Sequence, residues 1–406
     1  MDGADTDDET SPKSDGETRT DGAGRYGGEA TAENGKRASE DTAALGTGTK
    51  LFALGVALLT TAFAYDHTVV GEGRPLFFGV NPTGLDWLFA LSWLALASFV
   101  LVPLALRRRQ TRIYWRRLRS RPAGVAALAY LVVFLVVGTV GPWFVQPDLN
   151  LTVADQPPLF LSISESNVYN CVGPVVDGRC HGTLKYPLGT NSTGKSVVAL
   201  LVSGMRVSLL VSLVSATILV PVGTTIGVLA GYAGGWTDDL LMGYVDVQQT
   251  LPAFVLYVIL MFVYGKSLLL IVLVFGLTSW GGAARMVRSE VLQRREEEFV
   301  QAAENAGASW SHVVGTHILP NVSTTIITAL SRQIPILILT EVAIAYLELN
   351  NFLLMSWGET IALELRKAFP KTWWTSTFTV ALLAITVTSF SVLGDTLRDV
   401  LDPKQQ

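Results

Sequence analysis

Apolar segments recur along the chain at about 51–65, 85–106, 123–145, 198–230, 244–263, 268–284, 324–347 and 375–394. A bilayer takes ~20 apolar residues per helix, so each of the eight is read as a membrane span, the first being short. The fourth is too long for one straight span. Gly204, Pro221, Gly223 and Gly227 offer places to bend it, or its start lies along the outer surface. Between the sixth and seventh lies a polar, helix-prone stretch, Glu298–Asn321 (EFVQAAENAGASWSHVVGTHILPN). Phe299, Ala302, Ala303 and Ala306 recur there at helical spacing and make one apolar face. Gly307 is expected to stop that helix. Ser309 stands where a cap would start a second helix running to Ile318. Pro320 is expected to end it, because a residue before proline, here Leu319, is pushed out of the α region. The pattern predicts two short helices around a tight bend, held in water. Two uses stay open on these grounds: a docking surface for a soluble partner, or an amphipathic connector resting on lipid.

Composition agrees with the spans. Half of the 406 residues are hydrophobic, only 16% are charged and the mean hydropathy is +0.40, which excludes an ordinary soluble domain. The fold class expected is all-α, a polytopic helical membrane protein. Residues 1–50 differ from the rest, with 12 acidic and 6 basic side chains and no apolar periodicity. Such a segment cannot offset its ordering entropy by burial, so a disordered acidic tail is expected. Its acidic start does not fit a signal peptide.

Charge also orients the spans. Eight arginines crowd residues 107–121 between the second and third spans. The positive-inside rule places them in the cytoplasm, and their flanking spans argue against a nucleic-acid patch. Arg285, Arg288, Arg294 and Arg295 follow the sixth span and go to the same side. Eight spans then put both termini and Glu298–Asn321 in the cytoplasm and residues 146–197 outside. Cys171 and Cys180 lie in that external segment, where an oxidising setting predicts a disulfide, the alternative being two free buried thiols. Asn150 and Asn191 begin external sequons, a pattern short enough to match by chance.

Candidate chemistry is sparse. Gly189–Ser196 (GTNSTGKS) fits the phosphate-loop pattern letter for letter. A phosphate loop needs a buried strand before it and a helix after it inside an α/β domain, and Pro187 spoils the strand. A turn leading into the fourth span is the better reading. Arg332 and Glu341 sit within the seventh span, where charges are functional candidates by default. Nine positions at ~100° each put them on opposite faces, so mutual pairing is not expected. Glu341 suits structural hydrogen bonding or the lining of a path, and Asp246, near the end of the fifth span, suits a local cap or salt bridge. No catalytic set, metal cluster or cofactor motif stands out, so neither an enzyme nor a metal or cofactor site is expected.

The spacing E-x-x-x-A-A-x-x-x-G followed by I-L-P in Glu298–Asn321 resembles the "EAA" cytoplasmic loop of ABC importer permeases. The likeness extends further. Tyr186–Ser196 is similar to the HPLGTDxxGRD segment of dipeptide and oligopeptide permeases, with Tyr, Asn and Lys-Ser in place of His, Asp and Arg-Asp. Gly231–Asp238 (GYAGGWTD) resembles the family's GYxGGWxD, Asp246 and Pro252 fit the VDxxxxxP that follows, and the end from Leu393 to Pro403 is close to LGDxLRDxLDP. The resemblance implies a six-helix type I permease core at 122–403, of the second-permease type, with a coupling loop at 285–322. Two extra spans at 51–106 and an Arg-rich linker at 107–121 precede it. It implies that Glu298, Ala302, Ala303, Gly307, Leu319 and Pro320 couple the chain to two ABC ATPase subunits. The remaining partners implied are a homologous second permease and an external solute-binding protein, with the whole in the plasma membrane. Dipeptides or oligopeptides lead as solute, the alternatives being nickel or another small solute, or a stand-alone secondary transporter. The chain departs from the family at 345–358, where the usual glycines and prolines are missing.

Overall fold

In a computed structural model, residues 46–70, 82–350, 355–367 and 370–401 are described. Helices dominate. In chain order they are α1 (Gly46–Val69), α2 (Gly84–Leu106), α3 (Arg108–Arg119), α4 (Pro122–Val140), α5 (Val197–Ala233), α6 (Gly235–Thr250), α7 (Ala253–Tyr264), α8 (Leu268–Thr278), α9 (Gly281–Arg295), α10 (Glu298–Asn305), α11 (Trp310–Tyr346), α12 (Trp357–Lys367) and α13 (Trp373–Leu401). Among the described residues seven helices are long and apolar enough to cross a membrane, or eight if the bent α6–α7 pair counts as one span. Residues 1–45 of the expected acidic tail lie outside the described residues, and 46–50, expected in the tail, instead begin α1.

The main core is apolar and sits where α4, α5, α7, α8, α11 and α12 meet. Phe134, Leu209, Val211, Tyr257, Ile271, Val272, Ile338 and Trp357 are buried there. The two N-terminal helices join this body from one side. Thr83 and Asp86 cap each other's backbone at the start of α2. Asp86 then meets Arg206 of α5 at 3.4 Å, and the same guanidinium lies 4.3 Å from the Phe89 ring centre. α1 packs outside α2, with Phe52 5.1 Å from Phe99.

Three expectations are corrected. The fourth span does not bend away along a surface: α5 is one unbroken helix of 37 residues, ~55 Å long, with Pro221 inside it. Gly204, Gly223 and Gly227 serve close helix contact there rather than bending. The fifth span is broken instead, at Leu251–Pro252, where α6 and α7 differ in direction by 68°. The helix entered at Trp310 does not end at Pro320. Leu319 keeps α-helical angles (φ −59°, ψ −41°), and a single wide turn over Val314–Ile318 carries the backbone past the proline. A π-type turn of this kind accommodates a residue lacking an N–H without breaking the rod.

At the end of the bundle away from the arginines, residues 145–196 form a small lobe. Its three short strands, β1 (Ser162–Ser164), β2 (Val175–Val176) and β3 (Arg179–His181), pair antiparallel in the order β1-β3-β2. Cys171 and Cys180 are joined in a disulfide. The Gln156 side chain fixes the same loop, donating to Asn170 O at 2.7 Å and accepting from Val172 N at 3.0 Å. Replacing both cysteines by serine is expected to cost the lobe ~2–3 kcal/mol, the closure entropy of a short loop. Hydrogen exchange should speed up across 160–182 and stay unchanged in α5 and α13; uniform protection in the variant would refute the prediction.

Candidate functional site

The stretch Glu298–Asn321 forms a projecting bend at the Arg-rich end, and two distant parts of the sequence hold it. α5 reaches it first. A Cβ on Gly231 would stand 2.9 Å from Arg288 O and from Val291 Cβ, so this glycine lets α5 and α9 touch backbone to side chain. The chain then turns through Gly234 and Gly235, both at positive φ. Asp238 of α6 accepts hydrogen bonds from Nε and Nη2 of Arg288, a two-pronged pair that ties α6 to α9. Asp246 meets Arg285 at 2.6 Å, one turn earlier on α9. Arg295 donates to Tyr232 O at 3.0 Å, and Arg294 bonds both Glu290 and Glu297, fixing the step from α9 into α10.

α10 is anchored by a residue that the sequence pattern hides. Val300 is fully buried in a cluster with Val228, Val287, Val291, Val313, Ile318 and Val322. Ala303 backs it, half-buried. The rest of the expected apolar face points away from the bundle: Phe299, Ala302 and Ala306 are exposed, with Glu298 and Gly307. Gly307 sits at φ +82°, its N–H donates to Glu304 O, and Ala308 N donates to Ala303 O, which closes the helix end. Ser309 occupies the cap position of α11 but its hydroxyl makes no capping bond. Tyr232 ties the bend across 72 positions: its hydroxyl bonds Glu304 Oε1 at 2.5 Å and its ring meets Trp310 edge-on at 6.0 Å. The result is a small-residue surface (Ala302, Ala306, Gly307) rimmed by Phe299 and Trp310 and backed by a valine cluster. Leu319 and Pro320 lie a further two turns along α11, both exposed.

The intramembrane charges are kept apart. Arg332 lines a polar cavity of about 800 Å³ between α9, α11 and the end of α13, together with Arg398 and Asp395. Glu341 is buried at the opposite end, where Ser356 is the polar side chain beside its carboxylate. Next to it α12 is pressed into the bundle. A Cβ on Gly204 would lie 2.0 Å from the Trp357 ring, and Trp357 Nε1 donates to Leu201 O at 3.1 Å. Burial raises the Glu359 carboxyl of α12 to about 7, against the pull of Lys195. A carboxyl raised in the folded state favours folding below its unfolded pKa and loses that advantage as pH rises through about 7. Glu359→Gln should therefore flatten the fall in thermal stability between about pH 4 and pH 8, and an unchanged pH profile would refute it.

The loop that matches a phosphate-binding pattern is closed to phosphate. Asn191 Oδ1 accepts from Thr193 N (3.1 Å) and Lys195 N (2.8 Å), Gly194 N donates to Asn191 O, Ser192 N to Glu364 and Val197 N to Gly189 O. The amides that would cradle an anion are thus committed, and Lys195 Nζ lies 3.2 Å from Met355 Sδ. Asn191 is itself buried, which removes it as a glycosylation site in the folded chain.

Residues 223–406 match the family model described as the binding-protein-dependent transport system inner membrane component, and residues 109–158 match the N-terminal transmembrane domain of oligopeptide transport permease C. The chain is 30% identical to the oligopeptide transport system permease protein OppC of Haemophilus influenzae over 292 residues, 72% of this chain and 88% of that one. The chain belongs to this family of ABC importer permeases. It is also 31% identical to the dipeptide transport system permease protein DppC of Bacillus subtilis over 295 residues, covering 72% and 86% of the two chains. A solved chain of the inward-facing MetNI methionine ABC transporter overlaps 50% of this chain and 97% of its own, at a TM-score of 0.40 and 17% identity. As a permease of an ABC importer, the protein is a transport subunit in a multi-pass membrane assembly, and ATP hydrolysis belongs to a separate subunit. The matched region holds α9, α10 and the whole of α11.

Proposed function

We propose that this permease passes dipeptides or oligopeptides across the plasma membrane, and that the bend at Glu298–Asn321 is where two ABC ATPase subunits drive it. The observation that carries the coupling role is the exposed Ala302–Ala306–Gly307 surface backed by buried Val300. A partner can approach small residues closely, and a rigid backing transmits its push rather than absorbing it. Glu298, Ala303, Leu319 and Pro320 complete the coupling segment. Arg332 and Glu341 are assigned to the two ends of the transport path.

Orientation follows from charge. The Arg-rich α3 and α9 lie at one end with the start of α1 and the end of α13, and this reading puts that end and both termini in the cytoplasm; the disulfide-bearing lobe faces outside, toward a solute-binding protein. A homologous second permease supplies the other wall. The domains are then the acidic tail (1–50), two added spans (51–106), the Arg-rich linker (107–121) and the permease core (122–403). Peptides are the preferred solute because the relatives carry oligopeptide and dipeptide names. The test is to purify the tagged chain from native membranes in mild detergent. Stoichiometric ATPases and a second permease are expected, and a co-purified binding protein that retains peptide would name the solute. A lone chain under gentle conditions, or uptake driven by an ion gradient without ATP, would overturn the reading.

A further inference from the structure

We infer that the Arg-rich end carries a seat for one anionic phospholipid, its head group on α3 and an acyl chain in the groove between α4 and α13. At ~100° per residue, Arg108, Arg112, Arg116 and Arg119 fall within an ~80° arc of α3. All four are exposed, and residues 107–121 contain no acidic side chain. The opposite face of the helix is pinned to the bundle: Leu118 is buried, Arg117 donates to Val400 O at 3.1 Å and Arg121 pairs with Asp399. The arginine arc therefore faces away from the protein. Ile113 and Trp115 flank it, exposed, as expected of a helix lying in a membrane interface. Guanidinium groups bind phosphate through paired hydrogen bonds, and a juxtamembrane basic helix is drawn to anionic lipid.

The second observation is the groove. Four positions after Arg119 begins an apolar cleft of about 570 Å³, lined by Ala123, Ala126 and Tyr130 of α4 and by Ile385 and Val392 of α13. It climbs α4 for ~10 Å from the arginine end, the half of the membrane that an acyl chain attached to a head group on α3 would occupy. Small side chains on α4 make the cleft; a cationic helix leading directly into the arginine end of an apolar cleft fits a phospholipid better than a purely apolar partner helix. The seat would clamp α3 against the last turn of α13, beside the polar cavity that holds Arg332 and Arg398. The inference does not depend on the solute carried or on the coupling role of α10.

The test is native mass spectrometry of the whole purified transporter after exchange with phosphatidylglycerol or phosphatidylcholine. Wild type should retain phosphatidylglycerol about tenfold more strongly, equivalent to ~1.4 kcal/mol. R112Q/R116Q/R119Q, which weakens the head-group end, and A126W, which fills the groove, should each lose about that factor while the assembly stays intact. Equal retention of both lipids by wild type would overturn the inference, as would unchanged phosphatidylglycerol retention in A126W. Loss of the second permease from A126W would give the groove to a protein helix. Retention only after removal of residues 1–45 would give the arginine face to the chain's own acidic segment.

Discussion

Gly307→Asp should abolish ATP-driven uptake while the chain still folds and inserts. No atom lies within 4 Å of where a Cβ at Gly307 would stand, so the side chain enters open space on the exposed surface of the bend. The cost within the chain is the backbone at φ +82°, ~1–2 kcal/mol for a residue with a Cβ and less for Asp or Asn. The cost at the interface is larger. A docked ATPase would bury the new carboxylate without a partner, at ~3–5 kcal/mol, and with each 1.4 kcal/mol worth a factor of ten, uptake should fall on the order of a hundredfold or more. Gly307→Asn tolerates the same backbone without the charge and should keep most of the activity. Uptake in proteoliposomes with the ATPases present is the measurement. Full transport by the Asp variant, or equal loss in the Asn variant, would remove docking as the role of this bend.

Gly204→Leu should instead damage the fold, at the far end of the molecule. The new side chain would meet Trp357 within 2.0 Å at its first carbon, and neither backbone can yield cheaply in a close-packed core. Trp357 would be expelled from the position where it is fully buried, 6.2 Å from Phe134 and bonded to Leu201 O. Losing a buried tryptophan costs ~3–5 kcal/mol, so the variant should be recovered poorly, with α12 open to protease near Gly358. Gly204→Ala should show a smaller loss of the same kind. Wild-type yield and protease resistance in the Leu variant would show that α12 is not seated by this contact.

The spans and the position of the bend were legible from periodicity, and Gly307 from its place after a short helical pattern. What escaped the sequence has physical causes. Val300 was overlooked because Phe299, Ala302, Ala303 and Ala306 made a plausible stripe without it; its signal was being the one β-branched apolar residue in an eight-residue helix. Pro320 looks like a stop because the rule for residues before proline is local, whereas a wide turn upstream lets Leu319 remain helical. Pro221 and its neighbouring glycines suggested a bend in α5, but α9 packs along those glycines and holds the helix whole. The Tyr232–Glu304 bond joins two motifs that are far apart in the chain, and only the folded structure brings them together. The phosphate-loop pattern shows the reverse case: the letters match, and the hydrogen bonds of Asn191 turn the same letters into a rigid corner.

The unbroken course of α11 has a mechanical consequence. Trp310 belongs to the bend and Glu341 to the opposite end, 31 positions and ~47 Å along the same rod. A push that tilts the rod by ~5° about its middle moves its two ends by ~2 Å each in opposite directions, without any side chain relaying the signal. If Glu341 lines the path as proposed, the bend and the buried carboxylate keep the same time: when one end of the lever swings in, the other swings out, which gears the two mouths of the path against opening together.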